Sequence, residues 1–218
     1  MKLVAAYIDA YNLYHGLKDD NLKRFYWLDI SALIQTFIEK DHSLNRIYYF
    51  TSPSLIPGSQ KRQTTYIEAL QTNALINRID FRVIRGRFMP EDVRCQNCND
   101  VIRCPRSECG EIVSIHHEKE TDVNIAVQMI SDAYEEVYDT AFLVTGDSDQ
   151  AGTIKTVRSL FHDTKEVAVI FPPKRKSKEL KSVASACWNI DVSKLAKCQL
   201  PDPVIKGGYP LCRPANWN

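Results

Sequence analysis

Two short runs in this chain, residues 3–8 (Leu-Val-Ala-Ala-Tyr-Ile) and residues 141–144 (Ala-Phe-Leu-Val), are apolar at successive rather than alternate positions. A strand that is apolar on both faces has to be covered on both faces. That requirement is met by central strands of a parallel sheet lying between two layers of helices. Each run also ends against acid: Asp9 follows Ile8 directly, and Thr145-Gly146-Asp147-Ser148-Asp149 follows Val144. Open parallel sheets bind their ligands beyond the carboxyl ends of the strands, where the strand order reverses. The same two segments therefore define both the expected centre of the fold and the place to look for chemistry.

Further elements alternate around these runs. Residues 46–51 and 79–88 read as strands, the latter with Phe81, Val83 and Ile84 set against Arg82, Arg85 and Arg87. Residues 167–171 and 188–192 complete the set. Helices are expected over residues 29–40 (capped by Asp29 or Ser31), 61–77, 121–137, 150–161 and 177–185. In the third of these five helices the apolar stripe is Val123, Ala126, Val127, Ile130 and Ala133. The pattern fails over residues 90–117, which are cysteine-rich and irregular and read as an insertion. After Leu200 a concentration of proline and glycine predicts an extended or mobile tail. The expected organisation is one domain over residues 1–192, interrupted by the insertion at 90–117 and followed by a tail at 193–218. No internal repeat is evident.

At 218 residues the chain buries an ample core without disulfides. Its formal charge of +1 names no partner, although opposed local patches exist. The N-terminal apolar run stops at Asp9, too short for a membrane span and without a small-residue cleavage site, so it reads as a strand rather than a leader. The expected setting is cytoplasmic, with no membrane partner.

Acids at one rim repel one another, and a shared proton or a bound divalent cation resolves the repulsion. An all-oxygen set suits Mg²⁺ or Mn²⁺, with waters and phosphate completing the shell. Asp122, in the first turn of an expected helix, is a further candidate. Helix capping is the competing role, above all for Asp149.

Ile8-Asp9-Ala10-Tyr11-Asn12-Leu13-Tyr14, Lys119-Glu120-Thr121-Asp122-Val123-Asn124 and Tyr138-Asp139-Thr140-Ala141 through Thr145-Gly146-Asp147-Ser148-Asp149 together resemble the three motifs of NYN-domain proteins. These are a branch of the PIN-like nuclease superfamily. The resemblance spans roughly residues 1–192. It implies an α/β fold, a Rossmann-like PIN-type parallel sheet flanked by helices, and Mg²⁺- or Mn²⁺-dependent cleavage of RNA phosphodiester bonds, expected to be endonucleolytic. Carried over, Asp9, Asp122 and Asp147 would be metal-binding catalytic acids and Asp149 a further catalytic member. Asn12 would hold a metal-bound water or a phosphate oxygen. The cysteine insertion departs from the core pattern.

Within that insertion Cys95, Cys98, Cys104 and Cys109 match a structural zinc site, with His116 or His117 as a substitute ligand. Arg78, Arg82, Arg85, Arg87, Arg94, Arg103 and Arg106 gather around it, and Lys174, Arg175, Lys176, Lys178 and Lys181 form a second basic group. Either could hold a phosphate backbone, and a solvated face is the competing role for the lysine run. Arg85, Arg87 and Lys119, with Asn12, are the expected substrate contacts. The expected partner is RNA, single-stranded or structured, with a homo-oligomer left open. An RNA-binding or regulatory module on the same fold is the alternative. An aspartyl-phosphate phosphohydrolase fits less well, because Tyr11 stands where such a site would place a second aspartate.

Overall fold

In the computed structural model, which describes residues 1–106 and 109–217, the two doubly apolar runs lie side by side. β1 (Lys2–Asp9) and β6 (Thr140–Val144) pair in parallel from Val4↔Thr140 to Ile8↔Val144. β2 (His42–Thr51) and β3 (Asp80–Arg85) extend the sheet beyond β1; β7 (Glu166–Phe171) and β8 (Ala186–Asn189) extend it beyond β6. The resulting order is β3-β2-β1-β6-β7-β8, parallel throughout. The chain therefore reverses direction across the sheet between β1 and β6, and that switch point lies between Asp9 and the segment after Val144.

Alternation along β1 explains its composition. Val4, Ala6 and Ile8 enter one core with α1 (Ala10–Asp19), α2 (Ile30–Gln35) and α3 (Pro57–Ile76). Ala5 and Tyr7 enter the other, with α4 (Thr121–Tyr134), α5 (Ala151–Leu160) and α6 (Lys178–Val183). α1 was not anticipated. It starts without any loop, because Asp9 is both the last residue of β1 and the cap that accepts the Asn12 amide proton at 2.9 Å. No turn residue marks the change.

α4 is pinned to the sheet by a polar contact inside the second core. The buried Asp132 carboxylate accepts the hydroxyls of Tyr7 (2.6 Å) and Tyr48 (3.1 Å) and the amide of Gln128 (2.8 Å). The two tyrosine hydroxyls fix the helix against β1 and β2, and so fix Asp122 at its start.

The strand expected over residues 79–88 breaks at Gly86. A Cβ there would lie 2.7 Å from both the Lys119 carbonyl oxygen and Ser52 Oγ, so only glycine lets the chain turn through this gap. β4 (Arg87–Asp92) and β5 (Ser114–Lys119) then form an antiparallel stem. At its tip three backbone hydrogen bonds close a ring: Val93 N–H to Val113 O, Val113 N–H to Ile102 O and Ile102 N–H to Val93 O, at 2.8–2.9 Å. Two short arms branch from this ring, carrying Cys95 and Cys98 on one and Cys104 and Cys109 on the other. They share a three-residue repeat, Val93-Arg94-Cys95 and Ile102-Arg103-Cys104. Each arginine reaches a carbonyl in its own arm, Arg94 to Asn99 and Arg103 to Gly110, both at 3.0 Å.

The tail is not extended. α7 (Val192–Lys197) leads into a hairpin of β9 (Val204–Lys206) and β10 (Tyr209–Leu211). Cys198, Leu200 and Val204 are buried in the first core. Trp27 Nε1 donates to the Pro201 carbonyl at 3.0 Å, and the Trp217 ring packs on Tyr26 and Tyr66 with centroids 5.6 and 5.7 Å away. The prolines and glycines mark turns within a segment whose few apolar side chains have a core to enter. Among the described residues no helix is long and apolar enough to cross a membrane.

Candidate active site

Asp9 is buried at the end of β1, with only 5% of its surface exposed. One oxygen accepts the Asn12 amide; the other accepts the Thr145 hydroxyl at 2.8 Å. Thr145 Oγ also accepts the Asp147 amide proton at 3.1 Å. A single hydroxyl thus ties the acid after β1 to the acid after β6. Asn12 adds a second tie, its Oδ1 accepting the Gly146 amide proton at 2.9 Å. That contact gives Asn12 a clamping task which its motif position did not suggest.

Gly146 matters here for space rather than for an unusual torsion angle. A Cβ on it would fall 2.6 Å from the Arg175 carbonyl oxygen and 2.8 Å from Arg175 Cβ. The segment after β7 therefore crosses the switch point in direct contact with its backbone. The same segment has spent part of its positive charge, with Arg175 paired to Asp19 and Lys174 to Asp20 at 3.4 Å.

Asp147 caps the turn that leads into α5, its Oδ1 accepting the Asp149 amide proton at 3.1 Å. Asp149 itself is exposed. Across from them Asp122 lies in the first turn of α4. The buried Gln150 holds it, donating to both the Asp122 carbonyl and its Oδ1 at 3.2 Å. Burial and neighbouring charge act together on two of these acids. Burial pushes the Asp9 carboxyl up to about 6; hydrogen bonds from Asn12 and Thr145 oppose the rise, and Asp122 and Asp147 add to it. Desolvation also raises Asp122, the Gln150 hydrogen bond opposes it, and Asp147, Glu118 and Asp149 push it further up.

Glu118, Thr145 and Gln150 were not singled out by the sequence. Glu118 on β5 accepts from Ser52 Oγ at 2.8 Å and from Thr121 Oγ1, joining the insertion stem to β2 and to the start of α4. Its charge reaches Asp122, so the insertion contributes an acid to this rim. A half-buried Glu in an otherwise exposed strand was the available signal, and it is a signal only once the strand is known.

The expected cationic contacts are partly here. Arg85 stands in register with Thr51 at the same rim, and Arg87 and Lys119 face one another across the base of the stem. Arg87 pairs with Glu120 at 2.8 Å. Arg82 is bound to Asp80 further back along β3, and Arg94 and Arg103 are occupied within the insertion.

Among the described residues, the group of three potential ligands whose atoms lie within 4.8 Å of one another is Glu39, Asp41 and His42. It sits where β2 begins, on the order of 30 Å from the acidic rim at the length of that strand. Its Asp41–His42 contact of 2.8 Å is a local turn interaction. Asp9, Asp122 and Asp147 are more widely set than that group, as are the cysteines.

The model of the NYN domain matches residues 3–191. The chain belongs to the NYN-domain family. The NYN domain brings a nuclease-type fold and points to nucleic acid as the partner. Over 97% of its length the chain is 28% identical to a Pseudomonas putida protein, 6-hydroxy-3-succinoylpyridine 3-monooxygenase, of which it covers 74%. A solved Vibrio parahaemolyticus protein of unknown function shares the fold at 17% identity and a TM-score of 0.51, over 88% of this chain and 94% of that one.

Proposed function

We propose that this NYN domain is a metal-dependent ribonuclease that cuts RNA internally, with Mg²⁺ or Mn²⁺ held by Asp9, Asp122 and Asp147. The observation that carries this reading is the convergence of Asp9, Asp122 and Asp147 at the switch point of a parallel sheet, where the charge of Asp147 adds to the rise of both Asp9 and Asp122. The donor set fits a hard divalent cation, being made of carboxylate oxygens. Among the described residues no hydrogen bond reaches Asp122 Oδ2, Asp147 Oδ2 or either oxygen of Asp149. A divalent ion held there would supply positive charge for the phosphate and lower the pKa of a bound water.

The chain's own residues do the rest. Thr145, Asn12 and Gln150 hold the acids in place. The Asn12 amide group, with its oxygen fixed on Gly146, offers its Nδ2 protons to a phosphate oxygen. Arg85, Arg87 and Lys119 line the approach and neutralise neighbouring phosphates. A single-stranded RNA incubated with Mn²⁺ should be cut internally, and Asp147→Asn should slow the cutting at least a hundredfold. Tight RNA binding with no turnover in either Mg²⁺ or Mn²⁺ would instead make the protein a binding module. A DNA strand of the same sequence tests the sugar preference.

A second reading is favoured by an aromatic-lined cavity beside the acids together with the pyridine monooxygenase relative. It is oxidation of a small hydroxypyridine. Oxygen uptake on adding such a pyridine and a reductant would support it.

For the insertion we propose a structural zinc ion held by Cys95, Cys98, Cys104 and Cys109. Each arm presents one cysteine at its opening and one in its turn, and Cys95 Sγ accepts the amide protons of Asn97 and Cys98, which favours the thiolate. Metal analysis of purified protein should give one zinc per chain, and Cys104→Ser should lose it and expose the loop to protease. Full zinc occupancy in Cys104→Ser would rule out this ligand set.

A further inference from the structure

Beside the acids, between α1, the start of α3 and the folded-back tail, lies a cavity of about 430 Å³, within the ~300–1,000 Å³ range of small-molecule sites. Its wall is aromatic: Tyr11, Tyr14, Tyr26, Tyr49, Tyr66 and Trp217 all face it, along with Phe88 at the base of the insertion stem. Tyr14 and Tyr26 lie against each other with centroids 5.2 Å apart, and Trp217 meets Tyr26 nearly edge-on at 85°. Tyr11 and Tyr14 are about half exposed despite this company. Aromatic faces left open beside a charged site suit a flat ring that stacks on them.

The polar groups narrow the occupant. Gln63 is already spent, its amide bound to Thr51 and Ser52 and its oxygen to the Ser54 amide. Tyr49 is 93% buried, its exposure being 7%, yet among the described residues its hydroxyl has no hydrogen-bond partner. Of the lining side chains only Lys18 and His15 can carry positive charge, and burial, reinforced by Lys18 and Arg175, holds the His15 imidazole below its usual range. No acid lines the wall. A neutral flat ring with hydrogen-bonding edges fits this set.

The cavity adjoins the acidic rim. Tyr11 follows Asp9 by two residues, Tyr49 stands in register with Ile8, and Ser52, at its edge, binds Glu118. The Asp9 charge reaches Tyr49. We propose that the cavity receives an unpaired nucleobase of the substrate, stacked on the Tyr14, Tyr26 and Trp217 wall, while the adjoining phosphate lies at the acids. This rests on the nuclease reading and adds to it a preference for which nucleotide flanks the cut. The tail then has a task, because Trp217 supplies one wall.

Calorimetric titration with the four nucleoside 5′-monophosphates and with ribose 5-phosphate, all without added divalent metal, tests the proposal. At least one nucleotide should bind tenfold or more tightly than ribose 5-phosphate. Tyr14→Ala and Trp217→Ala should each weaken that nucleotide by about 5- to 100-fold. Tyr14→Ala alters an exposed helix position and guards against a folding failure in the tryptophan variant. Nucleotides binding no better than ribose 5-phosphate would overturn the proposal. So would affinity indifferent to both variants, or a cavity that takes a free hydroxypyridine carboxylate and no nucleotide. Turnover plays no part in this measurement. A protein that binds bases here and cuts nothing supports the cavity and contradicts the nuclease reading.

Discussion

Asp9→Asn is expected to melt about 6–12 °C above the wild type at pH 8, although it removes a carboxylate from the centre of the site. The Asp9 carboxyl is held near 6 in the fold, against 3.8 for the free group. Below about pH 4 both folded and unfolded chains carry the proton and Asp9 costs nothing. Between about 4 and 6 the unfolded chain releases it first, so stability falls as pH rises. Above 6 the deficit is constant, at roughly 3 kcal/mol for a shift of this size, and for a chain of this length each kcal/mol moves the midpoint by about 2–4 °C. Asparagine keeps the cap on α1, since its oxygen can still accept the Asn12 amide proton. The gain should vanish by pH 4. Added Mn²⁺ should raise the wild-type midpoint above pH 6 and leave Asp9→Asn nearly unmoved. Differential scanning calorimetry across pH 4–8 reads all three effects. A variant less stable than wild type at pH 8 would show that Asp9 is held by a favourable interaction that burial does not describe.

Asp132→Ala should be the most damaging substitution on the opposite core, losing about 3–5 kcal/mol in urea unfolding. The carboxylate is 1% exposed and accepts from two tyrosine hydroxyls and one amide. Hydrogen bonds to a charged acceptor are worth about 1.5–3 kcal/mol each, and donors stranded in a core cost a similar amount. The loss should carry to the site as well, because α4 delivers Asp122. Tyr7→Phe, which removes one donor and leaves the carboxylate, should cost about 1–2 kcal/mol. If Asp132→Ala proves no worse than Tyr7→Phe, the network does not pin the helix.

The parts of the site legible in sequence are those whose logic is local. An apolar run that stops on an acid states both the strand and the rim within ten residues, and Asp9 and Asp147 were visible for that reason. What joins them was not. Thr145 lies 136 residues from Asp9 in sequence, and Gln150 holds Asp122 across 28. No pattern in either neighbourhood announces these partnerships. Gly146 stands in the motif, but its reason, the passage of Arg175, depends on the segment after β7, which no local pattern brings there. α1 was hidden because strand and helix share Asp9. The tail misled through its composition: prolines and glycines describe turns, and whether turns fold back depends on a surface that only the assembled core provides. The repeat of Val-Arg-Cys and Ile-Arg-Cys is three residues long and gains meaning from the ring of backbone hydrogen bonds at Val93, Ile102 and Val113.

Glu118 changes how the insertion relates to chemistry. It carries the only side-chain hydrogen bonds among those described here that join the stem to Ser52 and Thr121, and Gly86 lets the stem approach that closely. The cysteine-bearing arms are thereby joined to the rim through the stem.

A crystal soaked in Mn²⁺, with anomalous scattering measured at the manganese edge, tests the central claim most directly. An anomalous peak held by Asp9, Asp122 and Asp147 is the predicted result. Carboxylates left apart with no peak between them at millimolar Mn²⁺ would contradict it.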